Sequence, residues 1–164
     1  MPLSTGISPV SLEDYPRVVE VWETSVRATH HFVTESDIEI FRPMVFAELP
    51  HTDLACARDA NGMVVGFIGI SEGKVEMLFI HPDYREQGIG RTLLSYAINE
   101  RGATAVDVNE QNDQALGFYL RMGFEVVGRS ELDGLGKPYP LLHMRLASAK
   151  RNDGYPIAGC ASNR

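Results

Sequence analysis

The residues best suited to chemistry form a short glycine-rich loop. It follows an apolar stretch and a proline-broken turn at residues 81–83, and it reads Arg85, Glu86, Gln87, Gly88, Ile89 and Gly90. Apolar residues recur at helical spacing after this loop, which predicts that it opens a helix. Glycine lets backbone amides approach a ligand closely, and a helix start offers unpaired N–H groups with a partial positive charge. The loop therefore predicts a pyrophosphate site.

Two other kinds of phosphate loop fit the sequence less well. A Walker loop ends in glycine, lysine and serine or threonine, whereas Gly90 is followed by Arg91 and Thr92. A dinucleotide-binding fingerprint needs a third glycine where this chain has Leu93. A plain glycine turn with no ligand stays open as an alternative at this point.

The elements that must position the loop follow from hydrophobic periodicity and turn signals. We predict helices at 12–28, 37–49, 88–101 and 112–122. We predict strands at 53–58, 63–70, 74–80, 103–108, 124–127 and 141–146, and a short, proline-containing first strand at 7–10. The order predicts a mixed α/β fold with a hairpin-rich first half and a β-loop-α-β-α second half. Residues 1–147 are expected to form one domain and 148–164 a flexible C-terminal tail.

Composition narrows the class of protein. The 164 residues include 15 basic and 22 acidic side chains, a net charge of −7, which argues against a nucleic-acid partner. No apolar run approaches membrane-spanning length and no secretory signal is visible, so we expect a cytoplasmic protein without a membrane partner. Cys56 and Cys160 lack metal-ligand spacing, so we expect reduced thiols and no metal.

Two motifs in order resemble one family. The strand and loop up to Gly90 resemble the acetyl-CoA motif of the GNAT superfamily of N-acetyltransferases. A second hallmark follows at a fitting distance, with Asn109, Asn112, Ala115, Phe118, Tyr119 and then Gly123 and Phe124. The resemblance runs from about residue 7 to residue 146. Residues 108–112 and 136–141 also resemble a bacterial subgroup of small acetyltransferases.

The resemblance implies a fold and a cofactor. The fold would be a central twisted, mostly antiparallel sheet, splayed at the cofactor strand and flanked by about four helices. The cofactor would be acetyl-CoA, the acetyl donor. Its pyrophosphate would be held by residues 85–90 with Arg91 and Thr92, and its pantetheine arm by Leu78, Phe79, Ile80, Asn109, Asn112, Ala115 and Phe118.

The resemblance also implies a reaction, direct attack of a primary amine on the thioester. Tyr119 would protonate the leaving thiolate, and a backbone N–H of Leu78 or Phe79 would meet the oxyanion. A lysine-type ammonium has a pKa near ~10.4, so a base must remove its proton. Glu76 is the best carboxylate candidate, because strand alternation places it on the face of Leu78 and Ile80. A water relay, or a plain solvated charge at Glu76, stays open.

The acceptor would be an amine on a small molecule or a peptide. The resemblance assigns its site to the first helices and the last hairpin, which here supply Trp22, His30, His31, Phe32 and Tyr139. The two histidines could contact the acceptor, act as a base, or be polar residues that end a helix, which is the commonest case. The rival functions are a non-catalytic acyl-CoA sensor, a toxin-like enzyme acting on charged tRNA, and a protein that binds another nucleotide. Dimers are common in the superfamily, so a homodimer is one allowed assembly.

Overall fold

The computed structural model describes residues 6–147, which contain four α-helices and seven β-strands. The helices are α1 (Tyr15–Thr29), α2 (Glu35–Glu48), α3 (Ile89–Arg101) and α4 (Asp113–Arg121). The strands are β1 (Ser8–Pro9), β2 (Asp53–Arg58), β3 (Val64–Ser71), β4 (Lys74–Ile80), β5 (Ala105–Asn109), β6 (Phe124–Ser130) and β7 (Leu141–Leu146). The described chain divides into two compact units, an N-terminal unit that ends at Ala103 and a C-terminal unit that begins at Thr104.

The N-terminal unit is built on an antiparallel meander of β1, β2, β3 and β4. Tight turns fix its register: residues 59–63 join β2 to β3, and Glu72 with Gly73, both at positive φ, join β3 to β4. At the far edge the short strand β1 pairs Ser8 with Cys56, whose thiol is completely buried. These hairpins confirm the predicted first half of the fold.

Helices cover the strands of the N-terminal unit. Helices α1 and α3 both pack on β3 and β4, and α2 packs on α1. The α1 side is a buried cluster that includes Val18, Val21, Trp22 and Phe67. Gly66 of β3 permits a close approach, because a Cβ there would lie 2.8 Å from Ile80 Cδ1. Gly66 therefore lets β3 pack closely against Ile80 at the end of β4.

The C-terminal unit is a three-stranded antiparallel sheet in the order β5, β7, β6. Helix α4 packs on β5 and β6. Strand β7 pairs with β5 from Asn109↔Leu141 to Ala105↔Arg145. On its other side it pairs with β6, with a register shift between Val126 and Gly128. The register therefore places side chains from three strands next to one another on each face.

Most predicted bounds are close to the observed ones. The strands at 53–58, 74–80 and 141–146 have the predicted limits, and the mixed α/β class with mostly antiparallel pairing is confirmed. Strand β6 continues to Ser130, beyond the predicted end at residue 127, because pairing with β7 resumes after the bulge. Helix α2 begins two residues early, since the Thr34 hydroxyl caps it by accepting the Asp37 N–H at 3.1 Å.

Two further expectations concern the C-terminal tail and membrane-spanning helices. The predicted tail at 148–164, which contains Cys160, lies outside the described residues. Within residues 6–147 no helix is both long and apolar enough to cross a membrane.

Candidate functional site

The glycine-rich loop has the backbone shape of an anion cradle. After β4 the chain makes one turn of 3₁₀ helix at Pro82–Tyr84, and the His81 ring caps that turn by accepting the Asp83 N–H at 3.1 Å. Glu86 and Gly88 then adopt left-handed backbone conformations, with φ of +63° and +83°. A left-handed conformation is unfavourable for glutamate, so strain is held at the position where the sequence predicts ligand binding.

Gly88 is the N-cap of α3, and its surroundings are open. The Thr92 N–H donates to the Gly88 carbonyl at 3.0 Å, which is the first hydrogen bond of the helix. The N–H groups before Thr92 have no acceptor within the helix, because the first turn of any α-helix lacks them. A Cβ at Gly88 would meet no atom within 4 Å, so backbone there can be approached directly. Buried Ile89 anchors the loop from below. The residues present fit a pyrophosphate group.

The cofactor strand leads directly into this loop. Leu78, Phe79 and Ile80 are half-buried at the end of β4, paired with β3 through Ile68↔Leu78 and Phe67↔Phe79. Pairing with β3 therefore fixes the position of the β4 backbone just before the loop.

Glu76 lies at an irregularity in this strand. Gly69 pairs with Met77 and Ile70 with Val75, so Glu76 has no register partner on β3. The predicted shared face with Leu78 and Ile80 assumed strict alternation, and a bulge interrupts alternation. The Glu76 side chain is exposed. Its role as base stays a prediction that alternation alone does not support.

The acceptor candidates on α1 gather beside the cofactor strand. His30 is the C-cap residue of α1, as the helix-end interpretation predicted, and its ring lies 5.3 Å from Phe32 and 6.5 Å from Phe79 between centroids. Burial and then the neighbouring His31 lower the pKa of His30 to about 4, so its ring is neutral at neutral pH. His31 is exposed. Trp22 belongs to the buried core and offers little surface to a ligand.

In the C-terminal unit, the two predicted asparagines form the turn between β5 and α4. The Asn112 N–H donates to the Asn109 carbonyl at 2.9 Å, and the Asn112 side-chain oxygen accepts the Ala115 N–H at 3.1 Å. Asn112 is thus the N-cap of α4. The asparagine motif has a structural role that accounts for its spacing to Ala115.

Tyr119 is the most deeply placed of the predicted site residues on α4. Its side chain is 6% exposed, and its ring lies edge-on to Phe118 at 5.1 Å and Phe124 at 5.6 Å. Burial raises the pKa of the phenol well above its usual range, because the anionic form is poorly solvated there. The hydroxyl therefore keeps its proton at neutral pH, as a proton donor must.

The last hairpin holds Tyr139 in place. Its N–H donates to the Lys137 carbonyl at 2.8 Å, and the Glu110 N–H donates to the Pro140 carbonyl at 2.9 Å. The Tyr139 side chain is buried, so it offers a ligand only a small part of its surface.

One polar cluster in the C-terminal unit was not predicted from the sequence. Asp107 Oδ1 lies 2.7 Å from His143 Nδ1, and His143 Nε2 lies 2.7 Å from Ser130 Oγ. These residues lie on three strands, so no local motif joins them, and strand register is the signal that could have found them. Within residues 6–147 no group of three or more histidine, cysteine or acidic side chains could hold a metal ion.

Comparisons with known proteins identify a family that covers most of the chain. The family model described as Acetyltransferase (GNAT) domain matches residues 23–146. A curated relative from Salmonella typhimurium, named peptidyl-lysine N-acetyltransferase YjaB, is 42% identical over 132 residues, 80% of this chain and 91% of the relative.

Solved structures agree in fold. The solution structure of apo-form YjaB from Escherichia coli has a TM-score of 0.80 and 39% identity, covering 90% of this chain and 99% of the other. The PaiA N-acetyltransferase of Thermoplasma acidophilum, solved in complex with coenzyme A, has a TM-score of 0.67 and 24% identity, covering 90% and 100%.

Proposed function

The chain belongs to the GNAT family of acetyltransferases and transfers an acetyl group from acetyl-CoA to an amine, and we propose that this amine is the side chain of a lysine in a protein or peptide. The observation that carries the proposal is the match over 80% of the chain to a relative named for peptidyl-lysine acetylation. Enzymatic relatives also make the rival interpretation, a non-catalytic acyl-CoA sensor, the weaker one.

The acceptor candidates support a lysine chemically. An imidazolium at the end of α1 would repel an incoming ammonium, and burial keeps His30 neutral instead. Phe32 and Phe79 stand beside it, with aromatic surface that suits the aliphatic stem of a lysine. The net charge of −7 favours the approach of a cationic side chain, although only weakly.

The coenzyme would be held by backbone more than by side chains. The N–H groups of residues 85–90 would bind the pyrophosphate, with Arg91 and Thr92 beside them, and the backbone of Leu78, Phe79 and Ile80 would pair with the pantetheine arm. Acetyl-CoA supplies an activated acetyl group with a thiolate as its leaving group. Left-handed Glu86 and Gly88 support this assignment, because successive N–H groups in such turns converge on an anion.

Tyr119 would act as the proton donor. When the carbon–sulfur bond breaks, the sulfur leaves as a thiolate, and the Tyr119 O–H would protonate it. Because its pKa is raised, the Tyr119 hydroxyl keeps its proton at neutral pH. The sequence predicts Glu76 or a water relay as the base for the lysine ammonium, and the Glu76 side chain is exposed.

The acceptor class can be tested with two peptides. The first has an acetylated N-terminus and one lysine. The second has a free N-terminus and arginine in place of that lysine. Incubation with acetyl-CoA and mass spectrometry should show one added acetyl group on the first peptide alone. Transfer confined to the second peptide, or to a free small-molecule amine, would contradict lysine as the acceptor.

The homodimer, the cytoplasmic location and the absence of a nucleic-acid partner stay predictions. Sedimentation of the purified protein across a concentration series would test the first of them.

A further inference from the structure

The cluster of Asp107, His143 and Ser130, here called the Ser130 relay, is a continuous hydrogen-bonded chain across β5, β7 and β6. Both of its links are 2.7 Å long. The His143 side chain is 37% exposed and that of Asp107 is 25% exposed, so the chain is reachable from outside its unit. None of the three residues has a role in the site described above.

Strand register builds this chain. Asp107 pairs directly with His143, and directly paired residues share a face of the sheet. On the other side His143 pairs with Gly128 after the bulge in β6. A Cβ at Gly128 would lie 3.4 Å from His143 Cδ2, so the glycine leaves room for the ring to extend over β6 to Ser130.

The partners fix the direction of the hydrogen bonds. A carboxylate only accepts, so His143 Nδ1 carries the hydrogen that Asp107 accepts. In the neutral ring, Nε2 is then the acceptor, and the Ser130 hydroxyl donates to it. The Ser130 oxygen keeps its lone pairs for another donor. This is the arrangement of a general base that works through a hydroxyl.

The relay lies close to a predicted coenzyme contact in the same unit. Asp107 and Asn109 are two residues apart on β5 and therefore share a face, about 7 Å apart along the strand. Asn109 is one of the residues assigned to the pantetheine arm. The relay therefore lies on the same strand face as a residue that is assigned to the pantetheine arm.

We propose that the Ser130 relay removes the proton from the acceptor lysine, which makes Ser130 a catalytic residue and His143 and Asp107 positioning residues that act through it. The inference rests on the proposed function. The lysine ammonium gives a proton to the Ser130 oxygen while Ser130 gives its own to His143 Nε2. The products are a neutral amine, an intact serine and an imidazolium paired with Asp107, so charge and protons balance.

The rival bases fit this task less well. His30 would release a proton too readily to hold it at neutral pH, because its pKa is about 4. Glu76 stands at the bulge of β4, without a register partner to fix its direction. Among the described residues of this sheet face, Arg145 lies two positions from His143 on β7 and is the register partner of Glu125 on β6.

The test compares pH profiles of kcat/KM for a lysine peptide, using the full chain and acetyl-CoA. Variants are Ser130→Ala, His143→Gln and, as a matched control, His51→Ala, which removes an exposed histidine from a 3₁₀ turn. We expect the two relay variants to lose about 10²-fold at pH 7. The deficit should narrow as pH approaches ~10.4, because lysine then supplies its own free base. His51→Ala should match the wild-type protein.

Each outcome has one meaning. A deficit that is constant with pH would indicate a structural role and overturn the relay, as would unchanged kinetics in Ser130→Ala. If His143→Gln fails to fold, Ser130→Ala decides, since it deletes one hydroxyl from a strand. Wild-type protein that transfers acetyl to no lysine peptide would refute the proposed function, whereas normal transfer with normal profiles in the variants would refute the relay alone.

Discussion

Replacing Gly88 with alanine tests whether a ligand approaches the backbone at this residue. Gly102→Ala is the matched control, because it introduces the same backbone strain at the other end of α3. Gly88 and Gly102 flank α3, with φ of +83° and +72°, and a Cβ at either would meet no atom within 4 Å. Alanine at each position therefore adds only left-handed strain, about 1 kcal/mol. For a chain of this size we expect each variant to lower the melting temperature by roughly 2–4 °C.

The two variants should differ in coenzyme affinity. A methyl group at Gly88 stands where phosphate oxygens would approach the N–H groups, and a lost hydrogen bond to a charged group is worth roughly 1.5–3 kcal/mol. That corresponds to a Kd about 10- to 150-fold weaker for Gly88→Ala, against no change for Gly102→Ala. Calorimetric titration with acetyl-CoA and thermal melts measure both quantities. Equal affinity in the two variants would refute the assignment of the loop, whatever their melting temperatures.

Four further outcomes follow from local geometry. Glu86→Gly should relieve left-handed strain, raise the free energy of unfolding by about 1 kcal/mol in urea titrations and leave acetyl-CoA affinity intact. Tyr119→Phe should lower kcat about 10²-fold without changing acetyl-CoA affinity. Wild-type activity should persist above the usual tyrosine pKa, because burial raises the pKa of Tyr119. A variant with wild-type kcat would exclude Tyr119 as the donor. The pKa of His30 is about 4 in the folded protein and 6.5 in the unfolded chain, so the unfolded chain binds more protons between these two values. The free energy of unfolding should therefore fall by up to about 3 kcal/mol as the pH drops from 6.5 to 4. His30→Gln should reduce this dependence on pH. The hydrogen bond from Arg58 is the main reason that the pKa of Asp14 is lowered to about 2. Asp14→Asn should therefore lower the free energy of unfolding by about 1–2 kcal/mol at pH 7. The loss should be much smaller near pH 2, where the wild-type carboxylate is itself being protonated.

The sequence predicted those elements whose ends are marked by turn chemistry. Strand β4 has the predicted bounds because the Glu72-Gly73 turn and Pro82 stop it on both sides. Helix α3 ends at Arg101, as predicted, because Gly102 follows it in a left-handed conformation that glycine adopts readily. The glycine-rich loop was predictable for the same reason, since glycine spacing is a local property of the chain.

Features that depend on pairing between distant residues could not be predicted. The bulge opposite Gly69 interrupts the alternation of side chains at Glu76, so the face of that side chain does not follow from residue spacing. Nothing in the residues around Glu76 signals this bulge. The Ser130 relay joins residues 36 and 13 positions apart in sequence. Each of its members appears unremarkable in its own segment, and only the register of β5, β7 and β6 brings them together.

The burial of Cys56 behind the two-residue strand β1 makes its thiol a reporter of local opening at this edge of the sheet. Its thiol is shielded, and burial raises its pKa, so a thiol reagent can modify it only after the chain around Ser8 detaches. The modification rate under native conditions, relative to that of the unfolded chain, therefore gives the free energy of opening at this edge. A two-residue strand implies that this edge opens far more often than the whole fold.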